Sequence, residues 1–204
     1  MARSCSQAPL GSRLAYSIAR LIYWLIGWRV EAVLPDLPKY VIILAPHTSN
    51  LDGFVSFTGE AILTCGFHTI KISWLGKHTL FRGPFGYLMR WLGGIPVDRR
   101  ARHAFVDQAV QAFNEREHIT LGITPEGMRN KSRYWKTGFY YIALGAQAPI
   151  VLAYVDYKRK VLGTGPLIRP SGDIQADMAA IRAFYETITA RHPEKVGQME
   201  VPPT

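Results

Sequence analysis

The feature that most constrains the fold is the stretch from Tyr40 to Phe54, which reads YVIILAPHTSNLDGF. Its apolar and largely β-branched start is typical of a buried strand, which Pro46 ends. Asp52 then opens a predicted helix, and the residues before it include three candidate caps for that helix, Thr48, Ser49 and Asn50. The stretch therefore predicts a histidine, His47, at the carboxyl end of a strand with a carboxylate one turn away. In open α/β sheets, ligands bind at these strand ends.

The spacing between His47 and Asp52 suits a general base. A carboxylate on one ring nitrogen of a histidine fixes its tautomer and stabilises the imidazolium that forms. The two side chains can meet if His47 lies in the turn and Asp52 in the first helical turn, whereas on one continuous helix they would point to different faces. Taken alone, the spacing is equally typical of a helix-capping aspartate beside an incidental histidine.

Length and charge narrow the range of functions. A chain of 204 residues with 48% hydrophobic and 19% charged residues is typical of one globular domain with a substantial core. The formal net charge of +9 predicts a polyanionic partner, which would be a nucleic acid, an anionic membrane or a phosphorylated substrate. Cys5 and Cys65 are distant in sequence and predict neither a disulfide framework nor a metal site, which is consistent with a reducing compartment.

The segment from Leu14 to Trp28 is apolar and carries one charge, Arg20. As a helix it spans roughly 22 Å, less than the roughly 30 Å hydrocarbon core of a bilayer. Its tryptophans and flanking arginines favour an amphipathic helix at a membrane surface. A signal peptide is the competing interpretation, but no convincing small-residue cleavage site follows Trp28, because Arg29 and Glu31 intervene. A second alternative is a helix that covers the core and has no contact with a membrane.

Strands and helices alternate along the rest of the chain. Strands are predicted at 28–33, 40–44, 69–74, 93–100, 119–123, 149–154 and 161–168, and helices at 52–65, 84–92, 101–117, 137–146 and 173–191. This order predicts an α/β fold, a single-domain sandwich of a mixed, largely parallel sheet flanked by helices. We divide the chain into an N-terminal membrane-associating segment, 1–30, a globular domain, 31–195, and a tail, 196–204.

Polar clusters follow three of the predicted strands, at 47–52, 98–100 and 126–129. Because the carboxyl ends of parallel strands meet at one edge, these clusters are expected to form one cleft. Arg99 and Arg129 suit a phosphate, since the guanidinium fork matches its oxygens. The alternative is a set of surface ion pairs, which contribute little.

Four sequence blocks make the chain resemble the glycerolipid acyltransferase family, which includes the bacterial lysophosphatidate acyltransferases. They are HTSNLD at 47–52, GGIPVDR at 93–99, PEGMRN at 125–130 and APIVL at 148–152. They match the family's His-x-x-x-x-Asp motif, a stretch from glycine to Asp-Arg, Pro-Glu-Gly-Thr-Arg-Ser and a proline-containing apolar strand. Met128, Asn130 and Pro96 depart from the family pattern beside the acceptor site, so the acceptor lipid stays open.

The resemblance implies a glycerol-phosphate acyltransferase-like fold and an acyl transfer without cofactor or metal. The acyl group would pass from acyl-CoA or acyl-carrier protein to a hydroxyl of a lysophospholipid in phospholipid biosynthesis. Lysophosphatidate would be the favoured acceptor. His47 would remove the hydroxyl proton and Asp52 would orient His47. By family role the acceptor's phosphate region would contact residues of the second and third blocks, and charge alone adds two more candidates; the full set is Asp98, Arg99, Glu126, Gly127, Arg129, Lys77 and Arg82.

Two other functions remain open from the sequence: a non-catalytic protein that binds lipid or acyl-carrier protein, and an acyl-thioester hydrolase. We expect an anionic membrane surface as a partner and a peripheral or monotopic location on the cytoplasmic face of the inner membrane. Nucleic acid is not an expected partner, because no recognition motif accompanies the basic charge. His47, Asp52, His68 and His78 lack the spacing of a known metal site.

Overall fold

Seven strands form one sheet in the part of the chain that the structure, a computed structural model, describes: residues 5–91, 93–97, 102–126 and 134–202. Numbered β1 to β7, they are Arg29–Val30, Lys39–Leu44, Ile72–Lys77, Gly94–Val97, Ile119–Ile123, Ile150–Asp156 and Val161–Ile168. The helices α1 to α6 are Leu10–Ile26, Asn50–Leu63, Gly83–Trp91, Arg102–Asn114, Gly138–Gly145 and Ile174–Tyr185.

The sheet is mixed and largely parallel, as the sequence predicts. Its strand order is β1-β7-β6-β2-β5-β3-β4. The five strands from β2 to β6 run parallel to their neighbours, whereas β7 is antiparallel to β6 and edge strand β1 is parallel to β7. Consequently the carboxyl ends of β2, β5 and β6, three adjacent strands, lie at the same edge of the sheet.

Alternating side chains of the central strands contribute to hydrophobic clusters on both faces of the sheet. On one face Ile43 and Leu152 pack with residues of α4, α5 and α6, among them Tyr185. On the other face Val155 packs with residues of α1 and α2, among them Tyr23 of α1. Strands buried on both faces are nearly continuously apolar, and this is why the pattern at 40–44 and 149–154 predicts them correctly.

Most predicted elements have somewhat different bounds in the structure, and two of the differences are the clearest. The strand predicted at 69–74 runs instead from Ile72 to Lys77. The helix predicted at 173–191 ends at Tyr185, whose hydroxyl donates to the carbonyls of Ile43 and Ala153, both at 3.0 Å. With Tyr185 fixed on the sheet, the chain turns back instead of continuing as a helix.

Helix α1 packs against α2 and is part of the folded domain. Ala19 and Tyr23 are its buried residues, and the Tyr23 hydroxyl donates to the carbonyl of Val55 at 2.6 Å. A Cβ atom at Gly59 would overlap Leu162 and the Tyr23 hydroxyl. Glycine at this position therefore lets α2 approach both α1 and the sheet.

The prediction that the two cysteines form no disulfide is wrong. Cys5 and Cys65 are bonded to each other, with their Cα atoms 5.4 Å apart. Because α1 lies along α2, the residues that precede α1 reach the turn that follows α2. Cysteine usage therefore does not support a reducing compartment.

Large apolar side chains of α1 and α3 face solvent. Trp24 on α1 is 76% exposed and Trp91 on α3 is 70% exposed. Others on the two helices are exposed as well: Leu10, Leu14, Ile18, Leu21, Leu25, Phe85, Tyr87 and Leu88. Among the described residues, no helix has both the length and the apolar character needed to cross a membrane.

The predicted tail contacts the core over part of its length. Met199 is buried, and the backbone N–H of Trp135 donates to the carbonyl of Glu200 at 3.0 Å. Trp135, itself fully buried, is thus held beside the segment that closes the described chain.

Candidate active site

The start of α2 fixes the position of Asp52. Ser49 is the N-cap, and its hydroxyl accepts from the N–H of Leu51 at 3.1 Å. Oδ2 of Asp52 accepts from the backbone N–H groups of Thr48 at 2.7 Å and Ser49 at 2.8 Å. This capping box holds a carboxylate that is only 1% exposed, and the positive end of the helix dipole stabilises its charge.

His47 lies in the turn between β2 and α2, next to that carboxylate. Its Nδ1 is 3.6 Å from Oδ2 of Asp52, and its side chain is 16% exposed. This is the arrangement that the sequence predicts for the two residues. The distance is longer than a hydrogen bond but short enough for a favourable electrostatic contact.

Glu126 follows β5 and meets the same turn from the neighbouring strand. Its Oε2 accepts from the backbone N–H of His47 at 2.9 Å. Burial raises the pKa of Glu126 to about 7, with the hydrogen bond from His47 opposing the rise and the charge of Asp52 adding to it. Glu126 therefore helps to hold the backbone of His47, a contact that the sequence does not predict.

Tyr157 is a site residue that the sequence analysis missed. Its hydroxyl donates to Oδ1 of Asp52 at 2.6 Å. Burial and this hydrogen bond raise its pKa well above the ordinary value, opposed by a hydrogen bond from Arg191, so the hydroxyl keeps its proton. The available signal was topological: β6 is apolar and adjacent to β2, and Tyr157 directly follows it.

The structure does not describe four of the predicted site residues, so it gives no distance from them to His47 or Asp52. Asp98, Arg99, Gly127 and Arg129 lie outside the described residues. Lys77 is the last residue of β3, and Arg82 is exposed just before α3. Thus, of the predicted set, the described chain brings together His47, Asp52 and Glu126.

An apolar groove lies between α2 and the sheet, as part of a larger cavity that extends to residues of α4, α5 and α6. Five residues of α2 line it: Gly53, Ser56, Phe57, Glu60 and Leu63. Its other lining residues include Ile42, Leu44, Ile72 and Ala153. Gly53, which has no side chain, and Ser56 are the lining residues of α2 that come first after Asp52 along the chain.

Glu60 places a carboxyl group in this groove. Its Oε1 accepts from the backbone N–H of Ile72 at 3.2 Å. Burial raises its pKa to about 7, and the hydrogen bond from Ile72 opposes the rise. The neutral form is therefore the one that the folded chain favours.

The raised pKa of Glu60 predicts a pH-dependent stability. Its contribution is complete below the ordinary pKa of 4.5 and is lost as the pH rises to about 7, because the folded chain then binds more protons than the unfolded chain. We expect Glu60→Gln, which keeps an oxygen for Ile72, to raise the free energy of unfolding at pH 8 by about 2 kcal/mol. Urea unfolding at pH 5 and pH 8 measures this; an equal effect at both pH values contradicts it.

No group of three metal-ligating side chains occurs in the part of the chain that the structure describes.

Comparison with known proteins identifies the family of the chain. The Acyltransferase family model matches residues 32–155, more than half of the chain. The fold is similar to the crystal structure of the 1-acyl-sn-glycerophosphate acyltransferase PlsC from Thermotoga maritima, with a TM-score of 0.56 and 14% identity over 86% of this chain and 78% of that one. No curated protein matches the sequence significantly. The matched segment contains the sheet edge with His47, Asp52 and Glu126, and the chain belongs to the Acyltransferase family.

Proposed function

We propose that the protein transfers a fatty acyl group from an acyl thioester to a hydroxyl of a lysophospholipid, with lysophosphatidate as the favoured acceptor. The observation that carries this proposal is the His47–Asp52 pair at the carboxyl edge of the sheet in a member of the Acyltransferase family. The structurally similar PlsC acts on a lysophosphatidate, which supports the choice of acceptor. The donor would be acyl-CoA or acyl-carrier protein.

In the proposed mechanism His47 acts as the general base. Asp52 is fixed by two backbone N–H groups and faces Nδ1 of His47, so Nδ1 would carry the proton and Nε2 the lone pair. Nε2 then takes the proton of the acceptor hydroxyl as its oxygen attacks the thioester carbonyl. As the tetrahedral intermediate collapses, the carbon–sulfur bond breaks and the imidazolium returns the proton to the departing thiolate. The products are the acylated lipid and a free thiol.

The groove under α2 suits the acyl chain of the donor. Its lining includes Gly53, the residue after Asp52, together with Phe57 and Ile42. An acyl chain laid in it would place its carbonyl near His47. Burial of each methylene is worth about 0.8 kcal/mol, so this groove would supply much of the donor's binding free energy.

For the acceptor phosphate we propose Arg99 and Arg129, with Asp98, Glu126, Gly127, Lys77 and Arg82 around them. The support is their sequence position: Asp98 and Arg99 directly follow β4, and Gly127 and Arg129 follow Glu126 after β5. Both strands are parallel members of the sheet whose carboxyl edge carries His47. A net charge of +9 also favours an anionic lipid.

We further propose that residues 1–30 attach the enzyme to an anionic membrane. The exposed leucines and Trp24 of α1 are typical of a helix that lies in the headgroup region. The proposed acceptor and products are lipids, so attachment at the surface would bring the active site to its substrates.

The double variant Leu14→Ser/Leu21→Ser tests this attachment. Both side chains are more than half exposed, so we expect little loss of stability and roughly a tenfold or greater loss of binding to vesicles that contain anionic lipid. Vesicle flotation measures the bound fraction. Val33→Ser, at another exposed position, 77% exposed, is the control and should bind normally. Equal binding of all three proteins contradicts attachment through α1.

A thiol-release assay tests the acyl transfer. Purified protein receives long-chain acyl-CoA, or acyl-carrier protein loaded with the same chain, with lysophosphatidate, with a zwitterionic lysophospholipid or with no acceptor. The proposal expects release that requires lysophosphatidate and produces phosphatidate. Release without any acceptor indicates a hydrolase, and binding without release from either donor indicates a non-catalytic lipid-binding protein.

A further inference from the structure

We propose that Tyr157, supported by Arg191, is a positioning residue that holds Asp52 in place for His47. This inference rests on the proposed function. It adds a third side chain to the His-x-x-x-x-Asp pair, from the turn that directly follows β6.

Tyr157 contacts Asp52 directly, and in this hydrogen bond Tyr157 is the donor and Asp52 the acceptor. Tyr157 Oη lies 2.6 Å from Oδ1 of Asp52, while the N–H groups of Thr48 and Ser49 occupy Oδ2. A protonated phenol is the donor and an ionised carboxylate the acceptor, which makes this a short, charge-assisted hydrogen bond. With both oxygens held, the carboxylate cannot turn away from Nδ1 of His47.

Tyr157 is itself fixed from three sides. Its backbone N–H donates to the carbonyl of Thr189 at 2.9 Å. Its ring meets the edge of Trp28, with the centroids 5.1 Å apart, and the Arg191 guanidinium lies 6.0 Å from the ring centroid. A side chain held in this way keeps its hydroxyl at one position, as a residue that orients a catalytic group must.

The segment that fixes Tyr157 also contacts the histidine turn. The N–H of His192 donates to Oγ1 of Thr48 at 3.3 Å, and Thr48 is only 2% exposed. Residues 189–192 thus connect Tyr157 with the turn that carries His47. In the described part of the chain, the charged or titratable groups that interact with the Asp52 carboxylate include His47, Glu126 and Tyr157, with Arg191 behind Tyr157.

The variant Tyr157→Phe removes the hydroxyl and keeps the ring against Trp28. We expect kcat to fall roughly tenfold, the loss that follows from one hydrogen bond to a charged group, with the KM values for donor and acceptor unchanged. A carboxylate with one donor fewer attracts the imidazolium more strongly. The acid limb of the kcat/KM profile should therefore move to higher pH, by about 0.5 unit.

Tyr140→Phe is the matched control, because the Tyr140 hydroxyl donates to Oδ2 of Asp177 at 2.8 Å between α5 and α6. It should lower the melting temperature and leave the pH profile unchanged. A Tyr157→Phe enzyme with normal kcat and an unmoved acid limb overturns the proposal, as does a loss of activity that only follows the fraction unfolded by circular dichroism.

An NMR titration of the His47 side chain separates this inference from the proposed function, since it needs no turnover. His47→Ala identifies the resonance. The titration midpoint should be higher in Tyr157→Phe than in the unmodified protein and unchanged in Tyr140→Phe. An unchanged midpoint in Tyr157→Phe overturns the positioning role whatever the thiol-release assay shows, and a shifted midpoint supports it even if the acceptor proves to be another lipid.

Discussion

His47→Ala is expected to lower kcat by roughly a thousandfold, the contribution typical of a positioned general base. The acceptor hydroxyl would then have to attack the thioester without losing its proton to the enzyme. The strand before His47 and the capped helix after it are each held by their own hydrogen bonds, so the protein should stay folded. Steady-state thiol release, with circular dichroism as the check on folding, measures the effect.

His118→Ala is the control for this variant, because His118 is exposed in the turn before β5. It should keep full activity. Near-normal turnover in His47→Ala contradicts the general-base mechanism. If both variants and the unmodified protein bind lipid equally and none releases thiol, the chain uses the fold for binding and not for catalysis.

Asp52→Asn is expected to lower kcat by a comparable factor, roughly a thousandfold, for a different reason. The amide matches the carboxylate in size but lacks the charge that stabilises the imidazolium form of His47. It also offers one oxygen where the structure uses two, for the N–H groups of Thr48 and Ser49 on one side and Tyr157 on the other. The free energy of unfolding should therefore fall as well, by about 2 kcal/mol.

Asp173→Asn makes the same change at the start of another helix. Asp173 caps α6 by accepting from the N–H groups of Gln175 and Ala176, and it is exposed. The Asp173→Asn substitution should lower the free energy of unfolding by less than about 1 kcal/mol and leave kcat unchanged. Urea unfolding measures the free energy of unfolding of the two variants, and thiol release measures their kcat. If Asp52→Asn has a kcat close to that of Asp173→Asn, Asp52 is only a helix cap.

Much of this site follows from local sequence. The run Val41–Leu44 forms a strand because β-branched apolar residues fit a sheet that is buried on both faces. Ser49 and Asp52 form a capping box because their spacing places each side chain on the other's backbone N–H. These preferences act over four or five residues, so the positions of His47 and Asp52 relative to strand and helix are predictable without the fold.

Other contacts depend on the order of strands in the sheet, which local preferences do not set. Tyr157 meets Asp52 only because β6 lies beside β2 and runs parallel to it, and Glu126 meets His47 only because β5 is the neighbour on the other side. The Cys5–Cys65 bond likewise depends on α1 packing along α2.

The sequence by itself thus determined the strand, the turn, the capped helix and the family, because each is written in residues close together along the chain. Only the tertiary structure decided which distant side chains complete the site. Tyr157 is 105 residues from Asp52 and Glu126 is 79 residues from His47. Such pairs come together through the burial of whole strands in a shared core, a cooperative property of the fold that no short segment carries.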